Sequence, residues 1–167
     1  MRKIRNVLSL FDGVACGKLA LEKAGIEFEN YYASEIDPVC IAIAEKNHPD
    51  LISLGAVENW QEWNLKDIDL IIGGSPCQGF SSQGHQLNFD DPRSKLFFTM
   101  VKIIQEFQPA YYMLENVVMR KEWEDIITDY MGVEPVILDS SLVSAQRRKR
   151  IYWANWNIEP PEDQKIH

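Results

Sequence analysis

Cysteine is scarce in this chain, and positive charge is outnumbered. Its 167 residues hold three cysteines, at positions 16, 40 and 77. An odd number without metal-ligand spacing argues against a disulfide framework or a zinc site, and points to a reducing intracellular compartment. Lysine and arginine number 17 against 25 aspartate and glutamate, a net charge of -8. That balance disfavours a stand-alone protein held to nucleic acid by bulk electrostatics. No apolar run approaches the length of a membrane span. The basic start, Met1-Arg2-Lys3-Ile4-Arg5-Asn6, is followed by an apolar run that reaches Asp12 too soon for a signal peptide. No internal repeat, low-complexity tract or linker is present, so residues 1–167 read as a single domain. The first glycine loop lacks Gly-x-Gly-x-x-Gly spacing, which argues against a dinucleotide-dependent oxidoreductase.

What is present is an alternation of strand and helix patterns. Val7 to Phe11 reads as a buried strand, followed by the small-residue loop Asp12-Gly13-Val14-Ala15-Cys16-Gly17. Leu19, Ala20, Leu21 and Ala24 give a short helix stopped at Gly25. Tyr31 to Ser34 is a second strand, and Val39 to Glu45 continues as helix up to His48-Pro49, with His48 expected at the surface. Leu51 to Leu54 and Ile68 to Ile72 read as further strands, and Trp60 and Trp63 as packing residues. Leu96, Phe97, Met100, Val101, Ile103, Ile104 and Phe107 mark a helix with a broad core face. Ala110 to Leu114 is a buried strand, Ile126, Ile127 and Tyr130 suggest a helix, and Val136 to Leu138 and Arg150 to Trp156 are strands. The pattern predicts an α/β fold with a mainly parallel sheet and helices on both faces.

One stretch organises the rest. Gly73-Gly74-Ser75-Pro76-Cys77-Gln78-Gly79-Phe80-Ser81 follows a strand with two glycines and presents a cysteine. The glycines are expected to allow a sharp exit and a close backbone approach to a ligand. Pro76 biases Ser75 toward extended backbone, so Cys77 is offered on a stiffened loop, where open α/β sheets bind ligands. Cys16 and Cys40 are expected as small buried packing residues. The polar segment Ser81 to Asp91 has the length of a mobile active-site loop.

Two carboxylates end strands on the same edge. Glu35, about twenty residues after the glycine loop, is placed to hold ribose hydroxyls or to cap a helix. Asp37, before Pro38, suits a cap. Glu115-Asn116 is expected at the carboxyl end of its strand, as a helix cap or as an acid in a confined site. The basic run Gln146-Arg147-Arg148-Lys149-Arg150 opens the last strand; a solvated face is the plain reading, and four positive charges beside an apolar strand argue against it.

These segments, in this order, resemble the cytosine-5 DNA methyltransferases, closest to the de novo type and to related bacterial and phage enzymes. The matching motifs are Phe11-Asp12-Gly13, Glu35, Pro76-Cys77-Gln78, Glu115-Asn116-Val117 and the Gln-x-Arg-x-Arg of Gln146, Arg148 and Arg150. The resemblance implies a doubly wound, mostly parallel sheet, Rossmann-like, with an antiparallel hairpin. It implies S-adenosylmethionine as cofactor, held by Phe11, Asp12, Gly13, Glu35, Ile36, Asp37 and Pro76. Cys77 would be the nucleophile on a flipped cytosine in double-stranded DNA. Glu115 would take the cytosine edge, and Arg148, with Arg150, its carbonyl oxygen and nearby phosphate. Ser75, Gln78, Gly79, Ser81, Asn116 and Gln146 would line the substrate side. No metal is implied, and the setting would be the cytoplasm of a bacterial or phage-infected cell.

Two departures stand out. The family's aspartate after the third strand falls on Ala56. The chain also ends at His167 before the family's target-recognition region, so a complementing partner chain is one expectation. A transfer-RNA cytosine methyltransferase and a noncatalytic cofactor-binding half remain the alternatives.

Overall fold

Strand β1 (Asn6–Leu10) sets the two faces of the sheet. Alternation sends Val7 one way and Leu8 and Leu10 the other, and all three are fully buried. A strand covered on both sides needs helices on both sides. The computed structural model describes residues 3–76 and 92–166.

On one face, Val7, Tyr31, Leu70 and Ile72 pack with Leu21 and Ile26. Leu21 belongs to helix α1 (Cys16–Lys23), which precedes β2 (Asn30–Ser34). Helix α2 (Pro38–Asn47) starts cleanly because the Asp37 carboxylate accepts from the Val39 and Cys40 N–H groups and Pro38 fills the first turn. It leads to the two-residue strand β3 (Ile52–Ser53). A 3-10 helix (Val57–Glu62) then precedes β4 (Leu70–Gly73).

The other face carries the larger core. Leu8, Leu10 and Ile71 pack there with Phe97, Met100 and Ile103 of α3 (Pro92–Phe107). Trp60 and Trp63 pack against the same cluster, as the sequence suggested. Strand β5 (Tyr111–Val117) and helix α4 (Lys121–Met131) follow, the helix stopped by Gly132 in left-handed backbone. β6 (Pro135–Asp139) and β7 (Lys149–Ala154) complete the sheet. Trp153 is fully buried, and its indole N–H donates to the Thr128 hydroxyl at 2.9 Å.

The seven strands run in the order β3-β2-β1-β4-β5-β7-β6. The pairs from β3 to β5 are parallel, and β7 pairs antiparallel with both β5 and β6. The doubly wound sheet with an antiparallel part is therefore as expected. The order reverses between β1 and β4, which opens a crevice at their carboxyl ends. Where β7 leaves the sheet, Asn155 stands in for a strand. Its side chain accepts from the Tyr112 N–H at 2.9 Å and donates to the Ala110 carbonyl at 3.0 Å.

Four local expectations need correction. β5 does not stop at Leu114. Its pairing with β4 ends there, but pairing with β7 carries it on to Val117, so Glu115 and Asn116 lie inside the strand. Neither Gly73 nor Gly74 adopts left-handed backbone, so the exit from β4 does not draw on glycine's freedom at positive φ. A side chain on Gly73 would instead strike the Leu10 carbonyl oxygen at 2.9 Å. Cys16 is exposed and Cys40 half-buried, because both lie on outward-turned parts of their helices. His48 is largely covered, its ring 3.9 Å from the Glu22 carboxylate.

Candidate active site

The crevice between β1 and β4 contains a cavity of about 270 Å³. Phe11, Ser34, Glu35, Ile36, Val57, Glu58, Gly74, Pro76 and Leu96 line it. Phe11 holds φ 57, an uncommon conformation for a bulky residue and one found where function constrains the backbone. Ile36 leaves 70% of its surface exposed. An aliphatic side chain so placed offers an uncovered apolar wall.

Glu35 ties the loops beneath this cavity together. Its Oε2 accepts from the Gly13 N–H at 2.8 Å. Its Oε1 accepts from the N–H groups of Ile36 and Asp37 at 2.8 and 2.9 Å. A carboxylate oxygen carries two lone-pair sites, so Oε1 is filled by its two N–H donors and Oε2 keeps one site for a hydroxyl of a ligand. Asp37 spends its own carboxylate on capping α2.

Asp12 turns inward. Its Oδ1 accepts from the Ser9 hydroxyl at 2.6 Å and the Tyr31 hydroxyl at 2.7 Å. Its Oδ2 is buried with no partner among the described residues. Burial pushes its pKa above the ordinary aspartate value, against the lowering effect of the two hydroxyls.

On the other side of Gly74 stands Glu115. It shares a sheet face with Arg150 and Tyr152, since Glu115 lies opposite Tyr152 and Val117 opposite Arg150. Arg150 Nε donates to Glu115 Oε1 at 2.9 Å. Burial raises the Tyr152 phenol above its usual value, and the Glu115 carboxylate raises it further. Asn116 points to the opposite face and is buried. Its Nδ2 donates to the Ser75 carbonyl at 3.2 Å, and its Oδ1 accepts from the Val117 N–H. β5 thus places a carboxylate beside the cavity and, one residue on, a side chain that fixes the loop from β4.

A family model described as C-5 cytosine-specific DNA methylase matches residues 5–159. The chain belongs to the C-5 cytosine-specific DNA methylases. An orphan methyltransferase of Bacillus phage rho11s is 40% identical over 119 residues, 70% of this chain and 24% of the phage protein. A type II methyltransferase of Neisseria gonorrhoeae is 32% identical over 116 residues, 69% of this chain and 27% of the relative. The chain thus spans about a quarter of the length of these curated relatives. A solved structure designated a prophage-encoded DNA modification methyltransferase (E. coli) superposes with a TM-score of 0.70. It is 27% identical, and the match covers 98% of this chain and 52% of that one.

Within this methylase fold the expected site residues separate into groups. Phe11, Glu35, Ile36 and Pro76 meet at the cavity. Gly13 joins them through its N–H to Glu35. Asp12 and Asp37 serve the protein's own loops. Ser75 and Asn116 are buried and bonded to each other. Arg150, expected second to Arg148, is the arginine that reaches Glu115. Arg148 is exposed, its N–H donating to Asp139 Oδ1. Gln146 is exposed too, its carbonyl accepting from the Ser140 hydroxyl. Cys77, Gln78, Gly79 and Ser81 lie outside the described residues, as does the segment read as a mobile loop. Ser34, Val57, Glu58 and Leu96 also line the cavity without a site role in the sequence reading, and Glu58 is the charged one among them. It follows Ala56 by two positions, so the acidic character absent at 56 reappears within the first turn of the 3-10 helix.

Proposed function

We propose that this chain is the catalytic core of an enzyme that methylates carbon 5 of cytosine in DNA, with S-adenosylmethionine as methyl donor. The observation that carries the reading is the seat of Glu115. Its carboxylate is held by Arg150 beside Gly74, a residue that also lines the cavity. The cavity fits an adenosyl group. Ile36, Val57 and Leu96 offer apolar walls to a base, and Glu35 and Glu58 offer carboxylates to donors.

Phe11, Glu35, Ile36 and Pro76 would hold the cofactor, with Gly13 steadying Glu35. Bound there, S-adenosylmethionine supplies an electrophilic methyl group whose bonding pair departs with sulfur. A thiol ionises with a pKa of roughly 8.5, so the site must favour the Cys77 thiolate or remove its proton during attack. The thiolate forms a bond to carbon 6 of the cytosine and places electron density on carbon 5. Glu115 directs a proton to N3 and offsets the charge developing in the ring. Arg150 holds Glu115 in place and faces the base edge, with Arg148 available to the carbonyl oxygen or a phosphate. Once carbon 5 carries the methyl group, it gives up its proton to solvent, the electron pair left behind expels Cys77, and the proton on N3 returns by way of Glu115. The base must leave the duplex first, at a cost of about a few kcal/mol.

The relatives extend well beyond the matched region, which supports a complementing segment or partner chain for target recognition. The net charge of -8 supports the same reading, since the described domain has little general attraction for DNA. The setting we infer is the cytoplasm of a bacterial or phage-infected cell.

The test is methyl transfer to unmethylated DNA, read by mass spectrometry of the nucleosides, with Cys77→Ala alongside. The expected product is 5-methylcytosine, made only with Cys77 intact. Product on transfer RNA and none on DNA would overturn the choice of substrate.

A further inference from the structure

We propose that Gly74 is a positioning residue for Glu115, required for the space it leaves and not for its backbone freedom. The inference rests on the reading of Glu115 given above. Gly74 has no left-handed backbone, so any residue could adopt its conformation. A β-carbon there would lie 3.1 Å from Glu115 Oε2, tighter than such contacts ordinarily are, and 3.5 Å from the Glu115 carbonyl oxygen. A flexible side chain could usually move aside. This one is tied, because Glu115 Oε1 is bonded to Arg150 Nε at 2.9 Å. A methyl group at position 74 would therefore displace the carboxylate against its ion pair. Gly73, its neighbour, differs in kind, since a side chain there would meet the Leu10 carbonyl and the Met100 sulfur. Gly73 serves sheet packing, and Gly74 serves the site.

Gly74 also lines the cavity. It is thus the piece of backbone shared by the donor side and the base side. The absent side chain lets the carboxylate lie against the cavity wall and fixes how closely the two sides approach. The acid's position is set from below by a missing atom and from the side by Arg150.

The experiment follows the Arg150 Nε–H resonance, assigned by its loss in Arg150→Lys, together with cofactor affinity by calorimetry and methyl transfer. In Gly74→Ala the resonance should move toward that of a free guanidinium. Transfer should fall at least tenfold while cofactor affinity stays within about threefold. In a Glu115→Ala background, Gly74→Ala should leave the resonance where Glu115→Ala alone puts it. An unchanged resonance in Gly74→Ala overturns the proposal, as does an equal shift in the Glu115→Ala background. If Gly74→Ala fails to fold, adding Glu115→Ala should restore folding, and failure to restore it also overturns the proposal. If the parent chain makes no 5-methylcytosine, the reading of the reaction fails, but the resonance still decides whether Gly74 positions Glu115.

Discussion

Arg150 and Glu115 meet diagonally across two antiparallel strands, Nε to Oε1 at 2.9 Å, both partly shielded from solvent. The register makes this pair: residues 115 and 117 share a face with 150 and 152, and a long guanidinium spans one diagonal. Arg148 lies one step farther out, beyond the pairing with β5. Arg150→Ala should therefore lower methyl transfer by at least tenfold, and Arg148→Ala by less. Steady-state rates on one DNA substrate compare them. A larger loss at Arg148 would transfer the main role to the exposed arginine.

Glu58 should contribute to cofactor binding. It lines the cavity where Ala56 offers no polar group. Glu58→Ala should weaken binding by roughly 0.5–1.5 kcal/mol, the usual worth of one hydrogen bond. Ala56→Asp should tighten it by a similar amount. Calorimetry with S-adenosylmethionine measures both, and unchanged affinity in both variants would remove this wall from the binding site.

Trp153→Phe should destabilise the fold by about 2–3 kcal/mol. The indole is buried, and its N–H bond to Thr128 joins β7 to α4. The substitution removes that bond and leaves a small void beside a stranded hydroxyl. Urea unfolding of the two proteins gives the difference.

Asp12 makes stability depend on pH in a direction opposite to most paired carboxylates. Its pKa in the fold lies above the ordinary 3.8, chiefly because burial disfavours the charge. The protonated acid therefore fits the fold better than the carboxylate does. Relative to Asp12→Asn, the parent should be most stable below pH 3.8. The advantage should fall as pH rises through the raised value and stay lost above it. Unfolding of both proteins across acid and neutral pH checks the sign. A difference that grows with pH would refute it.

Lys18 tests how much a buried cation contributes when its partners face water. Its side chain is covered and lies 5.2 Å from the centre of the Phe28 ring. It pairs with Glu22 and with Asp50 at 3.1 Å. Burial alone would lower its pKa, and the two carboxylates more than reverse that. Lys18→Met keeps the stem and leaves the carboxylates in contact with solvent, so the loss should be about 1 kcal/mol or less. Lys18→Ala also removes the packing on Phe28 and should cost more. Equal losses would mean that the charge, not the stem, holds α1 to the turn before β3.

The glycine loop, Glu35 and the acid of β5 were legible because each rests on local sequence: an apolar run, a breaker, a charged residue at its end. Tryptophans 60 and 63 were read correctly as core for the same reason. What escaped depends on distant pairing. Nothing within residues 110–117 says that the strand outlasts its parallel neighbour; the extension comes from β7, more than thirty residues later. The choice between Arg148 and Arg150 is likewise one of register, and a shift of two residues would put Arg148 in the place of Arg150. Glu58 was missed because its place is set by a 3-10 turn instead of a strand end. At Gly74 the local sequence suggests backbone freedom and a close approach to a ligand, whereas what a side chain there would meet is Glu115, its neighbour across the sheet.

Asn155 gives the sheet one more consequence. With its amide bonded to the Tyr112 N–H of β5 and to the Ala110 carbonyl just before it, a single side chain serves as the last rung of the ladder. The chain that follows stays on the sheet, since the Trp156 ring packs edge to face against Tyr111. The carboxyl end of β7 is thus closed twice, by an amide in line with the ladder and by an indole packed on the neighbouring strand.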